Sequence, residues 1–312
     1  MGRRNKKGDH ISGWVNVDKP LGMTSTQVIG KIRRFLNAQK VGHAGTLDPL
    51  ATGVLPIALG EATKTIPFAQ DADKTYQFIV TWGEQRTTDD AEGEIINQSD
   101  SRPSPDDIEN ILTEFTGEIE QTPPQFSAIK IDGQRAYDLA RKGEEVKMKT
   151  RIVTINTLEI QSHQTDTTTF ITNCSKGTYI RSLARDMGQK IGCYGYISEL
   201  RRTHVGVFST DNAISLDKLE PLDYKSARDA ALLPLQTVLD DIPALALTVE
   251  ETANLRNGQA LSFVSKPNFQ RLTDIGLNGK DKQTALTFFQ GNPVALVEKD
   301  RALLKPVRVF NI

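Results

Sequence analysis

The chain has 312 residues, 38% hydrophobic and 25% charged, with 38 Lys/Arg against 39 Asp/Glu and a formal net charge of −1. This is the balance of a globular protein with room for one large domain and a small one. It excludes a membrane helix, because no stretch approaches the ~18 consecutive apolar residues that one needs, and the basic start carries no apolar core of a secretory signal.

The charge is unevenly spread: residues 1–50 hold nine Lys/Arg and three acids, and residues 211–260 hold four and nine. Such asymmetry permits a basic face on a neutral protein, although a locally solvated surface gives the same count.

Residues 1–10 are polar and basic and read as a disordered tail. Residues 13–18 alternate as a strand stopped by Lys19-Pro20. Thr24 with Gln27 three positions on forms a capping box, and Val28, Ile32, Phe35 and Leu36 follow at helical spacing, predicting a helix over 25–37. Residues 42–53, GHAGTLDPLATG, hold three glycines and one proline. They read as a stiff loop rather than a helix or central strand, running into a buried strand at 54–59. Residues 75–82 are strand-like, 87–93 a turn, and 94–97 a returning strand. Ser104-Pro105 opens a helix closed by Gly117.

Pro123-Pro124 then breaks the chain. Residues 125–152 contain Lys130, Arg135, Arg141, Lys142, Lys147, Lys149 and Arg151, interleaved with Phe126 and Tyr137. Strands follow at 152–160 and 168–174, a helix at 179–191, and further strand character over 197–208. A boundary near 240–246 precedes short strands cut by glycines, the pattern of a small β-rich domain. Strands in runs with isolated helices predict an α+β fold rather than a doubly wound α/β one.

Cys174 and Cys193 show no CxxC spacing and the four histidines no metal-ligand pattern, which reads as a reducing cytosol without structural zinc. There is no GxxxxGK[ST], no GxGxxG after a strand and no GxSxG, so ATP, NAD and serine-hydrolase chemistry lose their support. Asp48, before Pro49, is either a turn initiator bonded to its own backbone or a catalytic carboxylate. His43 is a backbone-bonded loop imidazole or a contact to a ligand. Tyr76 and Tyr179 each begin an element, as half-buried aromatics or as site residues. Arg181 and Arg185 share one helix face, which is either solvated or, at Arg181, paired with a carboxylate.

Joined in order, these segments resemble one family. Residues 42–55 (GHAGTLDPLATGVL) closely resemble the signature of the bacterial tRNA pseudouridine-55 synthases, the TruB family. The stretches 17–25 (VDKPLGMTS), 60–64 (GEATK), 73–76 (DKTY), 123–128 (PPQFSA), 176–183 (KGTYIRSL) and 200–203 (LRRT) match in register. Residues 293–297 and 304–310 look like the end of a PUA-like domain.

The resemblance implies a pseudouridine-synthase-type mixed, mainly antiparallel sheet with flanking helices. It divides the chain into a catalytic domain over 11–240, with an RNA-gripping insertion at about 124–152, and a PUA-like RNA-binding domain over 241–312. It implies isomerisation of uridine to pseudouridine at position 55 in the T arm of tRNA, by base flipping and without cofactor, metal or ATP. Asp48 would be the catalytic carboxylate, acting on either the ribose or the pyrimidine ring. Tyr76 would stack on the base and take part in proton movement, and Arg181 would pair with Asp48. His43, Tyr179, Leu200, Lys19 and Pro20 would bind substrate. The implied protein is a cytoplasmic monomer that acts on tRNA without guide RNA or membrane. Two other roles compete: a guide-RNA-dependent relative, and an RNA chaperone in which binding outweighs catalysis.

Overall fold

The computed structural model describes residues 8–127, 130–131, 134–137, 148–279 and 281–312. The strands in chain order are β1 (Gly13–Lys19), β2 (Val41–His43), β3 (Ala51–Leu59), β4 (Lys74–Trp82), β5 (Glu84–Arg86), β6 (Ile95–Gln98), β7 (Gly117–Gln121), β8 (Lys130–Ile131), β9 (Gln134–Arg135), β10 (Arg151–His163), β11 (Thr167–Cys174), β12 (Gly195–Val205), β13 (Phe208–Ser209) and β14 (Ile214–Ser215). The last five, β15 (Ala244–Ala246), β16 (Leu261–Ser262), β17 (Gln283–Phe289), β18 (Asn292–Asp300) and β19 (Leu303–Val309), form a sheet of their own.

The main sheet runs β14-β1-β3-β12-β4-β11-β10-β7, with β2 on β3 and β13 on β12. Its pairings are antiparallel except β1 with β14 and β3 with β12, which are parallel. This is the expected α+β architecture with a mixed, mainly antiparallel sheet.

Strand β3 explains the apolar run after the glycine-rich segment. Leu55, Ile57 and Leu59 face the principal core with Val28, Ile32 and Leu183, while Val54 and Ala58 face a second cluster with Trp14 and Phe208. A strand buried on both sides has no polar face to alternate. On β1 the same division puts Val15 and Val17 in one cluster and Trp14 in the other. Leu286 and Leu296 of the second sheet, with Phe310 just after its last strand, join the Trp14 cluster, and Lys64 Nζ reaches the Val309 carbonyl at 2.7 Å.

The helix after β1 spans Ser25–Phe35, shorter than expected, and its capping box from Thr24 to Gln27 is present. Residues 42–53 are not one loop: β2 ends at His43 and β3 begins at Ala51, leaving a seven-residue turn between two paired strands. Gly53 makes this possible by taking a positive φ of 98°, and Pro56 stays in the pairing through its carbonyl, which accepts from Ala44 N at 3.0 Å. The helix from Pro105 ends at Leu112 and passes through a short 3₁₀ turn before Gly117 opens β7. The Ile180–Ile191 helix buries Leu183, Ala184 and Met187.

The end of the tail expected to be disordered is anchored, since Asp9 N donates to Asn37 O at 2.7 Å; residues 1–7 lie outside the described residues. So does half of the basic 125–152 stretch, including Arg141, Lys142 and Lys147. No helix among the described residues is long and apolar enough to cross a membrane.

Candidate active site

The turn between β2 and β3 is held from three directions. Ser25 Oγ accepts from Leu47 N at 2.9 Å and donates to Leu47 O at 3.0 Å, pinning the turn to the start of a helix. Gly22 N donates to Pro49 O at 2.9 Å, and Ala51 N to Asp48 O at 3.1 Å. Lys19, completely buried, donates through Nζ to the carbonyls of Pro20, Met23 and Pro49 at 2.9, 2.6 and 3.3 Å. Asp48 therefore stands on a backbone whose carbonyls and amides are committed on both sides.

Its side chain remains open, with 41% of it exposed, and Oδ2 lies 3.0 Å from Arg181 Nη2. Arg181 is 5% exposed and braced on every side. Nη1 donates to Thr88 O at 2.8 Å and lies 3.4 Å from Asp90 Oδ2; Nη2 donates to Phe126 O at 2.9 Å. The buried Asp90 balances the arginine's charge, so Asp48 is aimed by a guanidinium that is itself fixed. One helical turn on, Arg185 pairs with Asp89 at 2.9 Å. Burial pushes the Asp89 carboxyl up to about 6 against the pull of Arg185 and Arg181. The segment 87–93, expected only as a turn, thus supplies two buried carboxylates to the site. Its sequence, with two acids directly after two threonines, was the available signal.

Asp48 and Arg181 separate two clefts of about 600 and 670 Å³. Tyr76, Tyr179 and Leu200 line the first, with Arg202, Lys74 and Arg151. His43 lines the second, with Thr26, Phe126 and Tyr137. The structure thus gathers Asp48, Tyr76, Arg181, Tyr179 and Leu200 around one cleft and places His43 on the other side of the carboxylate. Burial and the nearby Arg202 charge both lower the His43 pKa, favouring neutral imidazole, and its Nδ1 is buried without a hydrogen-bond partner among the described residues. Tyr179 is held by Gln121, which accepts from its backbone N–H at 2.7 Å and donates to its carbonyl at 3.0 Å, while the Arg151 guanidinium lies 4.7 Å from its ring centre. Lys19 has no surface to offer a substrate; it is a clamp beneath the loop, and of the Lys19-Pro20 pair only Pro20 is exposed.

Two residues of the first cleft were not singled out from the sequence. Lys74 is buried, donates to the carbonyls of Gln70 and Ala72, and is pushed down to about 8 by burial and the neighbouring Arg202 charge. Arg202 is 1% exposed and donates from Nε to Val54 O at 2.8 Å and from Nη2 to Gly45 O at 3.0 Å. Its signal was a cation at an inward position of an otherwise apolar strand alternation.

An open carboxylate aimed by a buried arginine thus stands beside a cleft walled by two tyrosines on a mixed central sheet. The model of the TruB family pseudouridylate synthase N-terminal domain matches residues 33–180, and that of the tRNA pseudouridylate synthase B C-terminal domain matches residues 181–241. A protein of Caulobacter sp. (strain K31) named tRNA pseudouridine synthase B is 48% identical over 310 residues, covering 99% of both chains. A Brucella canis protein of the same name is 47% identical over 331 residues, again covering 99% of both. Among solved structures, a chain of an H/ACA RNP bound to a substrate RNA containing 2′-deoxyuridine superposes with a TM-score of 0.70 at 22% identity, covering 100% of this chain and 92% of that one. The chain belongs to the TruB family of pseudouridylate synthases.

Proposed function

We propose that this enzyme isomerises uridine 55 in the T arm of tRNA, acting on tRNA directly as a cytoplasmic monomer, with Asp48 as the catalytic carboxylate. The observation that carries the reading is the 3.0 Å approach of Arg181 to the open carboxylate of Asp48 at the mouth of the tyrosine-walled cleft. The full-length match to relatives named for tRNA supports the substrate.

The reaction exchanges a C–N glycosidic bond for a C–C bond, so the detached base must turn within the site without escaping. A cleft of about 600 Å³ with Tyr76, Tyr179 and Leu200 in its walls suits that, because it holds a planar ring and displaces water. The target base must leave its stack, at a cost of a few kcal/mol. Contacts to phosphate supply it, and the basic 125–152 segment and the C-terminal sheet, read as a PUA-like domain, are the surfaces assigned to that grip. In this reading His43, which lines the second cleft beside Asp48, holds the space that the flipped base vacates. Fixing the RNA fold during this exchange would also give the enzyme a chaperone role.

The test is pseudouridine mapping on a tRNA transcript with the purified chain alone. The parent should modify position 55 without any guide RNA, and Asp48→Asn should bind the transcript yet form no pseudouridine. Turnover by the variant, or a requirement for added RNA, would overturn the reading.

A further inference from the structure

The Ile180–Ile191 helix carries Arg181 and Arg185 one turn apart, and the two hold different things. Arg181 donates hydrogen bonds to Thr88 O at 2.8 Å and to Phe126 O at 2.9 Å, and meets Asp48 and Asp90 as ion pairs. Its guanidinium thus hangs from two pieces of backbone, the 87–93 turn and the chain that enters the 125–152 segment. The aim at Asp48 is only as good as the placement of those two carbonyls.

Arg185 holds both pieces. Nη1 donates to Asp89 Oδ2 at 2.9 Å, on the residue after Thr88, and Nη2 donates to Thr122 O at 2.9 Å, at the root of the chain that leads to Phe126. The Thr122 carbonyl also accepts from Ser182 Oγ at 2.8 Å, so both of its lone pairs are taken by the same helix. Between Thr122 and Phe126 stand Pro123 and Pro124, both buried. Consecutive prolines fix φ and restrict the residue before each. The strap from 122 to 126 is therefore stiff, and a displacement at its root reaches Phe126 O.

We propose that Arg185 is a positioning residue for the isomerisation: by anchoring Asp89 and Thr122 it fixes the two carbonyls from which Arg181 hangs, and through Arg181 it sets the aim of Asp48. The inference rests on the reading of Asp48 given above. Charge balance alone does not account for the arrangement. Asp89, and Asp186 at 2.8 Å from Nε, already bring two carboxylates to one guanidinium. The third bond, to a neutral carbonyl, adds a fixed position instead. An arginine suits this task because its rigid fork presents donors in several directions from one plane. Arg185 is not among the residues that line the two clefts beside Asp48, so it acts through its neighbours rather than on a base held there.

The experiment compares the parent, Arg185→Met, Arg181→Lys, the Arg181→Lys/Arg185→Met double variant and Asp48→Asn by single-turnover pseudouridine formation on a tRNA transcript, tRNA dissociation constant and thermal unfolding. Arg185→Met should lose about a hundredfold in rate, the scale of a reacting group misplaced by about 1 Å, with tRNA affinity within about threefold of the parent. In the Arg181→Lys background the fork that hangs from the two carbonyls is gone, and the same substitution should cost less than about threefold. Multiplying effects would show that Arg185 does not act through Arg181 and would overturn the proposal, as would a loss that falls on affinity rather than on rate.

Arg185→Met also strands the buried Asp89 carboxylate, which destabilises the fold in its own right. Arg185→Met/Asp89→Asn removes that charge. It should recover most of the unfolding midpoint while the rate stays low, because Thr122 still lacks its arginine. A rate that returns with the midpoint would show that Arg185 serves stability alone and would overturn the proposal. An active Asp48→Asn would sink the reading of the site itself; an inactive Asp48→Asn with a fully active Arg185→Met sinks only this inference.

Discussion

The α-carbon of Gly53 sits directly against the Arg202 carbonyl: a Cβ added there would stand 2.2 Å from that oxygen, on a backbone with φ of 98°. β3 and β12 run parallel at this point, with Arg202 registered to Gly53 and Leu200 to Ala51. The close approach lets the cleft residues Leu200 and Arg202 stand immediately beside the strand that leaves the Asp48 turn. Gly53→Ala would force the two strands apart and strain the backbone, costing about 1–3 kcal/mol. Chemical denaturation should show that loss, together with a slower single-turnover rate. An unchanged midpoint would mean that the strands part without cost.

Arg181 holds Asp48 and Asp90 together. Arg181→Met removes the aim of the first and leaves the second buried without its charge partner. Breaking one side of a buried pair costs about 3–5 kcal/mol. The rate should fall by orders of magnitude while tRNA binding changes little. Removing both partners in Arg181→Met/Asp90→Asn should restore most of the unfolding midpoint but not the rate. Restored rate would show that Asp48 needs no arginine beside it.

Lys19 connects three carbonyls beneath the turn that carries Asp48. Lys19→Met leaves the carbonyls of Pro20 and Met23 without their shared donor, while the Pro49 carbonyl keeps its bond from Gly22 N. Each buried acceptor left unsatisfied costs about 1–3 kcal/mol. Stability should fall, and catalysis should fall further than tRNA affinity, because the clamp orients the Asp48 turn and has no exposed surface. A loss confined to affinity, measured by filter binding, would instead make Lys19 a direct RNA contact.

The Asp89 carboxyl titrates at about 6 in the folded chain, above its ordinary value of 3.8, because burial outweighs the attraction of Arg185. A raised carboxyl binds its proton more tightly in the folded state. Its contribution to stability is therefore fully present below about pH 4 and lost as pH rises through about 6. Asp89→Asn lacks this contribution. The melting temperature of the parent relative to the variant should rise between pH 7 and pH 4. A difference that stays flat across that interval would show that the group is not perturbed.

Much of the fold was legible because its determinants are local. The Thr24–Gln27 capping box, the apolar spacing of Val28, Ile32 and Phe35, and the β-branched run of β4 act within a few residues of themselves. The glycine-rich stretch was legible in kind but not in extent. A proline and a positive-φ glycine argue against a central strand, yet β3 contains both, because pairing on its two sides and burial of Leu55 and Ile57 outweigh local preference. Asp48, Tyr76 and Arg181 could be singled out, but their residue types alone left each open to a bland reading. Asp90 and Arg202 carried weaker signals, since each gains its role from a partner far along the chain.

The sequence by itself determined the α+β class, most element positions and, through motifs in register, the family. Tertiary structure decided which charges are buried and whom they meet: Arg181 with Asp48 and Asp90, Lys19 beneath Pro49, Arg202 across from Tyr76. The physical reason is that hydrogen bonds and desolvation are set by neighbours in space. Residues 48, 90 and 181 share one electrostatic unit only after β3, the β5–β6 hairpin turn and the Ile180–Ile191 helix have packed around the same cleft.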